Sequence, residues 1–218
     1  IKAILPVHIL GHPVNMDPLL TLCQDYGLSL IEDATESLGA SYKGRKVGSI
    51  GDIAVLSFNG NKLISTGGGG MIVTNDLQKA DYARYLTTQA KDDPLEYIHH
   101  EVGYNYRLPN ILAALGVAQL EKIEDHIVAK RRIATRYHAE LSDVPGLGLP
   151  NEAPWAFSVF WMYTLLIHEQ HYGRDSRSLL QALAQQGIQT RPLWHPIHTL
   201  KPYATCQAYH VEITEQLY

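Results

Sequence analysis

Short apolar runs alternate with helix-spaced apolar positions through the first ninety residues. Ile1–Val7, Leu28–Ile31, Ile53–Phe58 and Met71–Thr74 are brief apolar stretches bounded by Gly, Pro, Asp and Asn, the pattern of buried strands. Between the first two, Asp17 and Pro18 open a helix with Leu19, Leu20, Leu22 and Cys23 on its inner side and Gly27 past its end. Lys43-Gly44-Arg45-Lys46 reads as a polar turn, and Asn75 or Asp76 starts a second helix running to about Ala90. This order predicts an α/β fold, a mostly parallel sheet with helices packed on it.

Residues 91–110, with charges, paired histidines, Pro94 and Pro109, predict a long excursion, and long ordered loops often carry function. Two helices follow, Ile111–Ile123 and a more polar Glu124–Leu141. Pro145, Gly146, Gly148 and Pro150 then break the pattern, placing a domain boundary between 1–144 and 145–218. Beyond it the sequence predicts a strand at Phe160–Ile167, a helix from Ser176 to Gln186 stopped by Gly187, and a strand at Ile188–Arg191, together a small α+β domain. The chain begins inside a strand, without methionine, and ends inside a helix starting near Glu212, so a piece of a longer protein is expected.

Composition narrows the function classes. Of 218 residues, 45% are hydrophobic and 18% charged, as in ordinary globular proteins. A net charge of −4 offers no general attraction to nucleic acid or acidic membranes. No apolar run is long enough to span a bilayer. The two cysteines, Cys23 and Cys206, form no disulfide framework, which fits a reducing cytoplasm. His8/His12, His168/His171 and His195/His198 are spaced to bring two rings together, but no His-Glu-x-x-His or Cys cluster completes a metal set, and none is expected. A Gly-x-Ser-x-Gly elbow is likewise missing.

The chemistry concentrates at two strand ends. Asp33 closes the Leu28–Ile31 strand, the side of an open α/β sheet where ligands bind. Alone it reads more readily as a cap or a salt bridge. Ser57-Phe58-Asn59-Gly60-Asn61-Lys62 closes the next strand, ahead of Gly67–Gly70. The glycine run matches neither the Walker nor the dinucleotide pattern and reads as a turn into Met71–Thr74, with phosphate cradling the less favoured reading. A lysine for an aldehyde, a carboxylate for a pyridinium nitrogen and a hydroxyl for a phosphate together point to pyridoxal phosphate.

Longer segments carry a resemblance. Pro6-Val7-His8, Ile31–Gly39, Gly51-Asp52-Ile53, Ser57–Lys62, Gly103–Asn110, Ala113–Leu120 and Thr190-Arg191-Pro192 through His198 closely resemble the DegT/DnrJ/EryC1/StrS sugar aminotransferases, in their order and spacing. The Phe-Asn-Gly-Asn-Lys form is most similar to the branch acting on UDP-linked 4-keto-6-deoxy sugars. The resemblance implies a type I pyridoxal-phosphate fold, its large domain and a small C-terminal domain both incomplete here. It implies that Lys62 forms the Schiff base and shuttles the proton, that Asp33 pairs with the pyridinium nitrogen, and that Ser57 binds the phosphate. Glu36 stands near the cofactor's 3′-oxygen, where many members carry glutamine. Asn105 reaches a partner's phosphate, so a homodimer with shared sites is implied. Asn59, Arg191 and His198 are implied on the substrate side. The implied activity is transfer of an amino group from glutamate to C4 of a nucleotide-linked keto sugar, for cell-surface polysaccharide or glycan synthesis. The alternatives are a sugar dehydratase of the same family, against which Lys62 argues, and a non-catalytic fragment marked by an exposed apolar edge at Ile1–Val7.

Overall fold

A computed structural model describes residues 1–93 and 95–218. Pro94, read from the sequence as part of the excursion, lies outside the described residues. In chain order the elements are β1 (Ala3–Ile4), α1 (Met16–Tyr26), β2 (Ser29–Asp33), β3 (Ser41–Tyr42), β4 (Arg45–Lys46), β5 (Ile53–Ser57), β6 (Gly70–Val73), α2 (Leu77–Thr87), α3 (Asn110–Leu120) and α4 (Ile123–Leu141). They continue with β7 (Leu147–Gly148), β8 (Ala156–Phe157), β9 (Leu166–Ile167), α5 (Glu169–Tyr172), α6 (Ser176–Gln185) and α7 (Glu212–Leu217). The chain divides into two compact units, residues 1–136 with 151–163, and residues 137–150 with 164–218.

In the first unit the main sheet has the order β1-β2-β5-β6. β1 pairs with β2 and β2 with β5 in parallel, Asp33 lying opposite Val55, while β6 runs antiparallel to β5. The antiparallel edge follows from the connection: residues 58–69 form a loop that turns the chain straight back beside β5. Gly67 and Gly69, at φ +82° and +86°, bend this loop into β6, and Phe58 N–H bonds the Gly69 carbonyl. The first strand is shorter than expected, Ala3–Ile4 with a single parallel bridge from Val7 to Asp33, and Leu5 and Val7 are exposed along it. Two clusters fill the core. Met16, Cys23, Leu30, Tyr42 and Ile50 lie under α1, and Ala34, Ala40, Val47, Ile127, Val159 and Trp161 lie beside the end of β2.

Helix starts follow their local signals closely. Asp76 Oδ1 accepts the Gln78 and Lys79 N–H groups at the start of α2, and Asp175 Oδ1 accepts those of Arg177 and Ser178 at α6. α1 instead begins at Met16 after Asn15, and Asp17 pairs with Lys43 Nζ at 2.6 Å. Pro18 still sits in the first turn, where no N–H is needed. α2 ends at Thr87, short of Ala90, because Gln89 and Ala90 turn to positive φ.

Two expected strands are corrected. Of Phe160–Ile167 only Leu166–Ile167 is a strand, pairing with β7 in the second unit. Phe160 has φ +46°, outside the strand region, and 158–161 serves to seat Trp161. Ile188–Arg191 forms no strand among the described residues.

Candidate active site

The candidate site forms at the carboxyl ends of β2 and β5, in the first unit. β2 delivers Glu32 and Asp33 to opposite sides of the sheet, as the alternation of a strand requires. Asp33 is half-buried, its Oδ1 accepts the Thr35 N–H at 3.1 Å, and no cation pairs with it among the described residues. Asp33 thus holds a local turn; no helix follows for it to cap, and it forms no salt bridge among the described residues. Ser57 ends β5, and its Oγ accepts the Asn59 N–H at 3.3 Å. A tight turn follows, Lys62 N–H to the Asn59 carbonyl at 3.0 Å, with Asn59 Nδ2 on Asn61 Oδ1 at 3.2 Å.

This turn sends Lys62 inward. Its side chain is only 13% exposed, with Nζ 3.8 Å from Glu36 Oε1 and 4.1 Å from the centre of the Trp161 ring. Glu36 is held in turn by the Leu10 N–H, 2.7 Å from its Oε2. Lys62 and Glu36 thus meet directly. Asn105 lies on another segment, exposed, bridged in antiparallel fashion to Thr88. Arg191 and His198 belong to the second unit, where His198 Nε2 is 3.0 Å from Glu215 Oε1.

Beneath the site lies a pair the sequence motif contained without revealing its role. Glu32 and His8 are both fully buried, with His8 Nε2 3.0 Å from Glu32 Oε2. The Val14 N–H donates to His8 Nδ1, so the imidazole proton sits on Nε2 and is donated to Glu32. Glu32 also accepts the N–H groups of Gly48, Ile50 and Gly51 at 2.8, 2.7 and 2.6 Å. Burial pushes its carboxyl up, but the His8 bond and the Gly51, Gly48 and Ile50 bonds outweigh it and hold it below the usual 4.5. The His8 N–H in turn bonds the Asp33 carbonyl and the Asp33 N–H bonds that of Pro6, so this pair fixes the backbone that carries Asp33.

Sequence reasoning missed Trp161. The indole is 2% exposed, its N–H donates to the Asn61 carbonyl at 2.7 Å, and its own carbonyl accepts Lys130 Nζ at 2.9 Å. Nothing local could have signalled it, because its partner lies 100 positions away. Among the described residues no three His, Cys, Asp or Glu side chains converge as metal ligands, and no helix is long and apolar enough to cross a membrane.

Known proteins share this arrangement of segments. The chain is 42% identical over 198 residues, 91% of its length, to EpsN of Bacillus subtilis (strain 168), whose name is that of a pyridoxal phosphate-dependent aminotransferase. It is 41% identical over 215 residues, 98% of its length, to the GDP-perosamine synthase of Caulobacter vibrioides. It spans 50% and 58% of the length of these two relatives. Among solved structures it is similar to DesI determined in the presence of its TDP-sugar product, with TM-score 0.90 and 29% identity, covering 100% of this chain and 55% of that one. Residues 1–218 match the family profile throughout, and the chain belongs to the DegT/DnrJ/EryC1/StrS aminotransferase family.

Proposed function

We propose that this chain carries the lysine half of a pyridoxal-phosphate-dependent aminotransferase. It installs an amino group at C4 of a nucleotide-linked 4-keto-6-deoxy sugar, with glutamate as donor, for polysaccharide or glycan synthesis. The observation that carries this reading is the sheltered Lys62 amine, 3.8 Å from Glu36, on the turn that follows Ser57. The donor set fits the cofactor: an amine for the aldehyde, a half-buried carboxylate with no cation on it among the described residues for the ring nitrogen, and a strand-end hydroxyl for the phosphate. When bound, pyridoxal phosphate supplies the electron sink.

The chain's own residues do the rest. Asp33 keeps the pyridine nitrogen protonated, its backbone held by Pro6 and His8. Ser57 Oγ, together with the start of the Asn59 turn, anchors the phosphate. Lys62 Nζ would take a proton from Cα of the amino donor and, when the sugar is aminated, deliver one to its C4, which as a carbonyl carbon has none to give. Glu36, tied to Leu10, lies beside this amine and closes one side of it. Asn59 is exposed at the rim and faces the sugar. Arg191 and His198 enter as substrate contacts on the resemblance alone.

Asn105 is proposed to serve a partner subunit's phosphate in a homodimer, a reading supported by the exposed apolar surface of α3 and of Tyr104 and Tyr106. Sedimentation of the full-length protein as a monomer at micromolar concentration would refute it. Two unpaired cysteines fit assignment to the cytoplasm.

The test is to add pyridoxal phosphate to the full-length protein, trap with borohydride and map the modified lysine. Label confined to Lys62 supports the reading; label scattered over surface lysines refutes it. Turnover is then measured with UDP-, GDP- and dTDP-linked keto sugars. All three are needed because one relative is named for a GDP sugar and one structure holds a TDP sugar, while the Phe-Asn-Gly-Asn-Lys motif favours UDP. Lys62→Ala is expected to abolish transamination, and near-normal turnover by that variant ends the mechanism.

A further inference from the structure

Trp161 touches two consecutive residues of the turn that carries the active lysine. Its indole N–H bonds the carbonyl of Asn61, and its ring face lies under the ammonium of Lys62. A tryptophan serving only the core needs apolar neighbours and one acceptor. This one has the apolar neighbours, in Ala34, Ala40, Val47, Ile127 and Val159, but takes its acceptor from residue 61 and a cation from residue 62.

Its seat is built at some cost in backbone strain. Phe160, immediately before it, has φ +46°, and Leu10 across from it has φ +59°, while Gly11 takes φ +91° as only a glycine can without strain. The Gly11 carbonyl accepts both the Val159 N–H and the Ser158 hydroxyl at 3.0 Å, and a Cβ on Gly11 would lie 2.8 Å from the backbone nitrogen of Trp161. The neighbouring Leu10 N–H holds Glu36. Both groups that flank the Lys62 amine are therefore registered on one turn, residues 10–11.

We propose that Trp161 is a positioning residue for Lys62, its ring holding the free ammonium against Glu36 and its N–H holding the turn that bears it. The lysine is thereby confined to one place whenever it is not bonded to the cofactor. Such confinement removes rotamer freedom that a long, flexible lysine otherwise loses at the moment of bonding. The inference rests on the assignment of Lys62 as the reactive lysine.

Trace acylation of the cofactor-free, full-length protein with acetic anhydride at fixed pH, read by peptide mass spectrometry, reports how freely each lysine reacts. Trp161→Leu is expected to raise labelling of Lys62, relative to Lys79, roughly fivefold, and Trp161→Phe, which keeps a ring face but no N–H, about twofold. Lys130, bonded to the Trp161 carbonyl, reports damage to the surrounding backbone. A rise confined to Lys62 supports the assignment. An unchanged Lys62, or an equal rise at Lys62 and Lys130, overturns it. If Trp161→Leu fails to fold by circular dichroism, Trp161→Phe decides on the same criterion. Because the labelling uses no cofactor, its failure leaves the borohydride mapping standing, and failure of that mapping leaves the labelling result standing.

Discussion

Glu32 and α3 invert the usual relation between polarity and burial. Glu32 is a carboxylate with no solvent exposure, while α3, Asn-Ile-Leu-Ala-Ala-Leu-Gly-Val-Ala-Gln-Leu, has no fully buried residue and leaves Ile111 80% exposed. Glu32 is buried because its hydrogen bonds are filled: His8 and three backbone N–H groups meet its two oxygens. α3 is exposed because only one of its faces finds a neighbour within the described chain. Gly116 packs against Thr66, and Gln119 Oε1 accepts the Ser65 N–H at 2.9 Å, while Ile111, Leu115, Val117 and Leu120 face outward. Hydropathy alone would have ranked the two the other way. Burial is decided by whether polar groups are satisfied and whether a packing partner exists.

The sharpest way to break this comparison is to empty the carboxylate site. Glu32→Ala leaves His8 and the Gly48, Ile50 and Gly51 N–H groups without their acceptor, and is expected to cost about 3–5 kcal/mol in urea unfolding. A change below about 1 kcal/mol would show that water replaces the carboxylate at no loss. The same group sets an acid limit. Its folded pKa lies below 4.5, so its contribution is fully present above that value and is lost as the pH falls through the folded pKa. Wild-type stability should therefore decline below about pH 4.5 more steeply than that of Glu32→Gln, measured by melts across pH 3–6.

On the α3 side, Gly116→Val tests the inner face. A Cβ there would lie 2.9 Å from Thr66 Cγ2, and the expected cost is about 1–3 kcal/mol. The smallest effect belongs to the outer face. Leu115→Ser should change the chain's unfolding free energy by no more than about 0.5 kcal/mol, yet weaken self-association in sedimentation. A large loss of stability without any change in association would mean that the outer face is already covered from within the chain.

The strand ends were legible from sequence because their signals are local. Asp33 and Ser57 close apolar runs bounded by turn residues, and Lys62 follows in a segment whose Asn and Gly residues bend the chain. The cap at Asp76 was readable for the same reason, satisfying N–H groups two and three residues ahead. The Phe160–Ile167 strand was misread because a continuous apolar run looks alike whether it pairs in a ladder or bends around a positive φ. The antiparallel course of Met71–Val73 was missed because direction depends on the connection, not on the strand.

By itself, then, the sequence determined the α/β class, the order of the helices and the placing of a carboxylate, a hydroxyl and an amine at or just past two strand ends, at positions 33, 57 and 62, through hydrogen bonds and periodicities that span a few residues. The tertiary structure alone decided what surrounds that chemistry. It set Trp161 under Lys62 across 100 positions, and filled Glu32 with N–H groups from the 48–51 loop. Contacts of that range depend on how separate elements close against one another, and no local pattern of residues encodes them.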